Sequence, residues 1–165
     1  MKLTNAGCGE PPLFYISTYS SPLGAMTIES DEKGLRRVFF SDKKPELYKA
    51  QTNDINERTI EFLDSYFKNS KPMFDIPLNL IGTEFEKRIW RMLLNIPYGE
   101  TRTYKDIASK LSLRSCQAVG HAIGKNPILI IIPCHRVIGS DGTLKGYSAG
   151  VERKRSLLEL ESAIC

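Results

Sequence analysis

The segment Ile128-Leu129-Ile130-Ile131-Ile132-Pro133-Cys134-His135-Arg136 constrains this chain more than any other. Five aliphatic residues in a row have no polar face to offer water, so the run reads as a buried strand over 128–132. It is also the longest apolar stretch and falls far short of the roughly 20 residues that cross a bilayer, so no membrane span is expected. The run ends on a thiol beside an imidazole. Cys134 can be a small core residue, a metal ligand, half of a disulfide or a nucleophile.

The cysteines stand at 8, 116, 134 and 165 with no C-x-x-C pair, and the histidines are His121 and His135. A structural zinc site takes about four closely spaced ligands, so no metal is expected. The N-terminus, MKLTNAGCGEPPLFY, holds one Lys and no apolar segment and does not read as a signal peptide. The expected location is the cytoplasm, or the nucleus in a eukaryote, where thiols stay free. A free thiol has a pKa of about 8.5 and is only slightly ionised at neutral pH, so a nucleophilic Cys134 needs a base. His135 is adjacent, but neighbours on an extended segment point to opposite faces. Contact would need a bend after Pro133, or a water between the two groups. The base would need an orienting carboxylate, and Glu161, Glu159 and Asp141 stand downstream. Spacing alone leaves open both a nucleophile and a structural Cys beside a surface His.

The chain has 165 residues, 41% hydrophobic and 25% charged, which suits a globular protein of one or two domains. Residues 13–40 alternate between apolar and polar, punctuated by SPLG and DEKG, and predict a small antiparallel meander. Residues 56–69 predict a helix capped by Asn56, with Ile60, Leu63 and Phe67 on one face. The proline-containing connector 71–82 then divides the chain into domains 1–81 and 82–165. In the second domain, Thr83-x-x-Glu86 and Thr103-x-x-Asp106 are capping boxes that open helices over 83–99 and 103–111. The apolar stripe of the first is Phe85, Ile89, Met92, Leu93 and Ile96. A further helix, 116–126, turns Val119, Ala122 and Ile123 inward, and with the preceding helix reads as a helix-turn-helix. Its small residues Ala118, Gly120, Ala122 and Gly124 suit close packing on a neighbouring helix or close approach to a DNA groove. A turn at 139–150 and a helix at 151–161 close the chain. Residues 1–82 carry 10 Lys+Arg against 11 Asp+Glu, and residues 83–165 carry 13 against 8. The second half is therefore the basic one, as a polyanion partner would favour.

The segments FEKRIWRMLLNIPYGETRTYKDIA, QAVGHAIGKNP, IIIPCHRVIGSDGTLKGYSAG and ERKRSLLELE together resemble the O6-alkylguanine-DNA alkyltransferases, or methylated-DNA–protein-cysteine methyltransferases, nearly without gaps over 83–165. The first half matches that family only in size, element order and position. The resemblance implies an α/β N-terminal domain, RNase H-like, with a small antiparallel sheet plus helix, followed by a mainly helical C-terminal domain with a helix-turn-helix. It also implies a monomer that binds duplex DNA, flips out an O6-alkylguanine and moves the alkyl group irreversibly to its own cysteine, once per molecule and without a cofactor. O4-alkylthymine is the further substrate it suggests. Extrusion is needed because the reacting atom is inaccessible within the stack.

By that resemblance Cys134 matches the alkyl acceptor. His135 matches the histidine that takes the thiol proton through a water, and Glu161 the carboxylate that orients it. Asn126 matches the asparagine that orders the turn around the cysteine. Tyr104 matches the tyrosine that rotates the 3′ phosphate and protonates the departing guanine. Tyr147 and Ser148 match the loop lining the base pocket, and the carbonyls of Cys134 and Val137 match groups that read the guanine edge. On the DNA side stand Gln117, Ala118 and Gly120 of the recognition helix, with Lys125 after it. Arg136, from the motif itself, is expected in a salt bridge. Two positions depart from the pattern. Gln117 stands where many relatives have an intercalating arginine, and it lacks the charge and stacking plane of a guanidinium. Ala149 stands where glycine is usual. A cysteine hydrolase is one competing reading, though no oxyanion hole stands out. A non-catalytic helix-turn-helix regulator is the other, though such relatives replace the acceptor cysteine.

Overall fold

A computed structural model of the chain describes residues 13–41 and 51–164, so Cys8 and Cys165 lie outside the described residues. The expected meander is present as β1 (Tyr15–Ser21), β2 (Gly24–Asp31) and β3 (Gly34–Phe40), antiparallel in that order. Met26 and Ile28 of β2 and Leu35 and Val38 of β3 are wholly buried, and helix α1 (Asp54–Phe67) packs on all three strands. Gly34 has φ +153°, and a Cβ there would come within 2.5 Å of the Pro77 carbonyl. Its bare backbone lets the connector close on β3, with Leu35 donating to Pro77 O and Asn79 to Leu35 O, each at 2.8 Å.

The cap of α1 is Asn53, not Asn56. The Asn53 side chain accepts the Asn56 backbone N–H at 2.9 Å. Asn56 is instead fully buried, and its amide donates to Ser17 Oγ at 3.0 Å, binding helix to sheet. The buried stripe of α1 is accordingly Asn56, Thr59, Leu63 and Tyr66, while Ile60 and Phe67 sit at its border.

The second unit begins with α2 (Glu84–Leu93), whose Thr83 capping box forms as expected. The helix ends before 99 because Pro97 disfavours helical backbone in the residue before it, and the last turn tightens through Asn95 N–H to Met92 O and Ile96 N–H to Leu93 O. β4 (Arg102–Thr103) leads into α3 (Tyr104–Lys110), opened by the Thr103 capping box. Ser115 then caps α4 (Cys116–Gly124), which buries Val119, Ala122 and Ile123 against α2 and α3. Trp90 of α2 is 1% exposed, and its Nε1 donates to Ala122 O at 2.9 Å, bonding α2 to α4 through the core. β5 (Val137–Ile138) pairs in parallel with β4, and α5 (Val151–Leu160) follows Gly150 at φ +95°.

The strand expected over 128–132 does not form. The chain meets β3 at one bridge, Val38 to Ile128, through Val38 N–H to Pro127 O and Leu129 N–H to Val38 O. It then coils, with Ile130 at φ +71° and Ile132 N–H bonded to Ile128 O. All five aliphatic residues are buried. A segment enclosed on every side is apolar whatever its backbone does, so its composition carries no period that separates a strand from a packed coil.

Candidate active site

Cys134 opens a single 3-10 turn, Cys134–Arg136, which follows Pro133 at ψ 61°. The turn resolves the geometric difficulty of the adjacent pair, because the two side chains need not project to opposite faces of a strand. Cys134 is 3% exposed. Asn126, just beyond α4, reaches it with Nδ2 donating to Sγ at 3.0 Å and to Ile132 O at 2.8 Å, while Asn126 Oδ1 accepts from Ile128 N–H. One amide thus both pins the coil and touches the sulfur. Burial pushes the Cys134 thiol up to about 11, against the opposing influence of the Asn126 hydrogen bond and the nearby Lys154 charge. At neutral pH the sulfur is a protonated thiol, and any reaction must first take its proton.

His135 is completely buried. Its Nε2 lies 2.7 Å from Glu161 Oε1, and its Nδ1 has no partner among the described residues. Glu161, the residue that caps α5, also receives Arg136 Nε on Oε2 at 2.8 Å, Arg136 Nη2 on Oε1 at 2.9 Å and the Gly99 N–H on Oε2 at 3.2 Å. Burial alone would raise this carboxyl. The hydrogen bonds from His135 and Arg136 override it and hold Glu161 well below the usual carboxylate range. Burial keeps His135 below the ordinary imidazole value despite the pull of Glu161. An ionised carboxylate at Nε2 fixes the tautomer, with the proton on Nε2 and a bare acceptor at Nδ1. Among the three downstream carboxylates, Glu159 is exposed and Asp141 bonds Thr143 of its own turn. Glu161 is the one that meets the histidine.

Arg136 closes the arrangement by donating Nη1 to Ile96 O at 2.6 Å. Its guanidinium is thus committed to Glu161 and a backbone carbonyl. Val137 O accepts from Lys154 Nζ at 2.5 Å, and Cys134 O from the Val137 N–H. A carbonyl oxygen has two lone pairs, so each keeps one acceptor position for a ligand edge. Tyr147 is buried with its hydroxyl unpartnered among the described residues, and Ser148 beside it is exposed. Tyr104 opens α3, is part-buried, and donates its hydroxyl to Lys145 O at 3.1 Å, tying the loop at Lys145 to α3. A Cβ added at Gly120 would lie 3.7 Å from the Tyr104 ring, so the two helices meet closely there. Gln117 and Ala118 are exposed on the opening turn of α4, as is Cys116 before them. Lys125 pairs with Glu86 at 3.0 Å.

Two neighbours of the site went unread in the sequence. Lys154 is 1% exposed, donates to the carbonyls of Val137 and Lys145, and is lowered to about 8 by burial. Tyr66 of α1 donates its hydroxyl to Glu161 Oε1 at 2.6 Å across 95 residues. No local pattern announces either. The only available signal for Tyr66 was a tyrosine near an apolar stripe, since a buried hydroxyl needs a partner somewhere.

A sheet-and-helix unit followed by a helix-turn-helix unit, with a buried cysteine and its histidine on a turn shortly after the second helix, defines a class of protein that sets a thiol and an imidazole behind a helix-turn-helix. A family model described as the 6-O-methylguanine DNA methyltransferase ribonuclease-like domain matches residues 14–80, and one described as the DNA binding domain of the same family matches residues 84–163. A methylated-DNA–protein-cysteine methyltransferase of Methanosarcina barkeri is 43% identical, covering 89% of this chain and 96% of its own. One of Mycobacterium tuberculosis is 41% identical over 92% and 94%. The crystal structure of the M. tuberculosis O6-methylguanine methyltransferase superposes with a TM-score of 0.81 at 39% identity, covering 92% of this chain and 94% of that one. The M. tuberculosis protein crystallised in complex with DNA gives 0.80 at 40% identity, covering 91% and 92%. The chain belongs to the 6-O-methylguanine DNA methyltransferase family.

Proposed function

We propose that this protein repairs DNA by direct reversal, taking the alkyl group of O6-alkylguanine in duplex DNA onto Cys134. The observation that carries the reading is the Cys134 sulfur held at 3.0 Å by Asn126, next to an imidazole whose free nitrogen is a preset acceptor. The two families of residues divide the work. The helix-turn-helix of α3 and α4 binds the duplex, and Gln117, with Ala118 and Gly120 on the same helix, occupies the space left by the flipped base. The extruded guanine enters beside Tyr147 and Ser148, and the open acceptor positions on Cys134 O and Val137 O read its edge.

The Cys134 proton passes through a water to His135 Nδ1, and Glu161 stabilises the imidazolium that results. The Asn126 amide and the Lys154 charge favour the forming thiolate. The sulfur attacks the alkyl carbon, the carbon–sulfur bond forms as the carbon–O6 bond breaks, and the departing guanine takes a proton from Tyr104. The product is a thioether, which water does not cleave, so each molecule reacts once. O4-alkylthymine presents the same carbon–oxygen bond and is the second substrate class. The unit acts as a monomer, with domains meeting at 81/82, in the compartment that holds the DNA. Titration against excess methylated duplex tests the stoichiometry. Repair should stop at one lesion per protein molecule, and continued turnover would overturn the reading.

A further inference from the structure

Glu161 Oε1 is oversubscribed. An ionised carboxylate oxygen offers about two lone-pair positions, yet Oε1 stands 2.7 Å from His135 Nε2, 2.9 Å from Arg136 Nη2 and 2.6 Å from the Tyr66 hydroxyl. The Tyr66 oxygen is also 3.4 Å from His135 Nε2 itself. Arg136 is anchored independently on Oε2 and on Ile96 O, so the competition on Oε1 is between Tyr66 and His135. Tyr66 comes from α1, in the first unit of the chain, and its ring is 1% exposed.

We propose that the Tyr66 hydroxyl is a positioning group for alkyl transfer, sharing Glu161 Oε1 with His135 so that the imidazole stays neutral and its Nδ1 stays open to the thiol proton. The inference rests on the reading of Cys134 as alkyl acceptor. The groups that face His135 are few. Tyr66 reaches it from α1, Arg136 from its own turn, and Glu161 and Lys154 from α5, while Tyr98 packs on Tyr66 and Arg136. Burial disfavours the imidazolium most, Arg136 and Lys154 act in the same sense, and Glu161 favours it. How far Glu161 is occupied by other donors therefore tunes the protonation of the base. Without the Tyr66 O–H, Oε1 turns fully to His135 Nε2, and the imidazolium gains.

The sign follows directly. Tyr66→Phe keeps the ring and its edge contacts with Phe67 and Tyr98 and removes one donor. The His135 midpoint should rise by about one pH unit, the equivalent of one hydrogen bond to a charged group. Only the neutral imidazole accepts the thiol proton, so the acid limb of the single-turnover rate should move up in pH by the same amount. Below that limb the variant should be about tenfold slower, with unchanged affinity for methylated duplex. A ring that merely packs would move neither.

The test is a ring-labelled histidine NMR titration of the full chain, wild type against Tyr66→Phe. With two histidines in the chain, His121→Gln assigns the signals. The same pair is compared in pH-dependent methyl transfer. A raised midpoint with a shifted acid limb supports the proposal. An unmoved midpoint overturns it, as does a raised midpoint with an unmoved limb. Incorporation of 3-fluorotyrosine at position 66, a stronger donor of the same shape, should lower the midpoint, and this keeps the idea testable if the Phe variant folds poorly. The titration needs no DNA, so a wild-type protein that takes no methyl group would overturn the alkyl-acceptor reading and be told apart from a failure of the Tyr66 coupling.

Discussion

Five hydrogen bonds converge on the carboxylate of Glu161, from Tyr66, His135, Gly99 and twice from Arg136. Replacing it with Gln keeps the shape but leaves Arg136 buried without a counter-charge, which should cost about 3–5 kcal/mol at neutral pH. The carboxyl is held below its ordinary value in the folded chain. Its contribution is therefore complete above the unfolded pKa of about 4.3 and is lost as pH falls toward the folded value. Denaturant melts of Glu161→Gln and wild type should converge below about pH 4, and a constant gap down to pH 2 would contradict this. Loss that sets in as pH falls below the unfolded imidazole value of about 6.5 belongs instead to His135, which is held neutral by burial. Asn126 makes its contribution through geometry. Asn126→Ala strands the Ile128 N–H, leaves Ile132 O with the Cys134 N–H alone and frees the sulfur. It should cost about 2–3 kcal/mol in stability and slow transfer by more than tenfold, as denaturant melts and single-turnover rates on methylated duplex would show. Wild-type stability or rate would refute the assigned role.

At the scale of elements, sequence reasoning succeeded where local chemistry dictates structure. Thr83, Thr103 and the Val119-Ala122-Ile123 face announce their helices because capping boxes and a 3.6-residue period are properties of a few neighbouring residues. It failed at 128–132, where total enclosure erases periodicity, and at the Asn53 cap, where Asn56 was equally eligible until Ser17 claimed its amide. Tyr66 and Lys154 were invisible because their partners lie on other elements. The enclosed coil has a consequence for the reacted protein. Cys134 sits in a cluster with Ile132, Val137 and Tyr147, and an added methyl overfills that space at a cost of about 1–3 kcal/mol. Calorimetry should show the alkylated protein melting several degrees below the free one. An equal melting temperature would mean the cluster yields freely.

The whole molecule places acidic and basic halves in sequence, with an excess of five positive charges over residues 83–165, the half that carries α3 and α4. Gln117 leaves the opening turn of α4 without the charge that an arginine would place there. Gln117→Arg should raise the transfer rate on methylated duplex severalfold, in single-turnover assays at fixed salt, while leaving reaction with the free alkylated base unchanged. A lower rate would mean that Gln117 is matched to its pocket rather than a weakened version of arginine.

The most direct test is the intact mass of the protein after incubation with duplex DNA carrying one 6-O-methylguanine, followed by peptide mapping. The account predicts the gain of one methyl group, located on Cys134 and absent in Cys134→Ala. A methyl group on the exposed Cys116, or no gain in mass from a protein that binds the duplex, would contradict it.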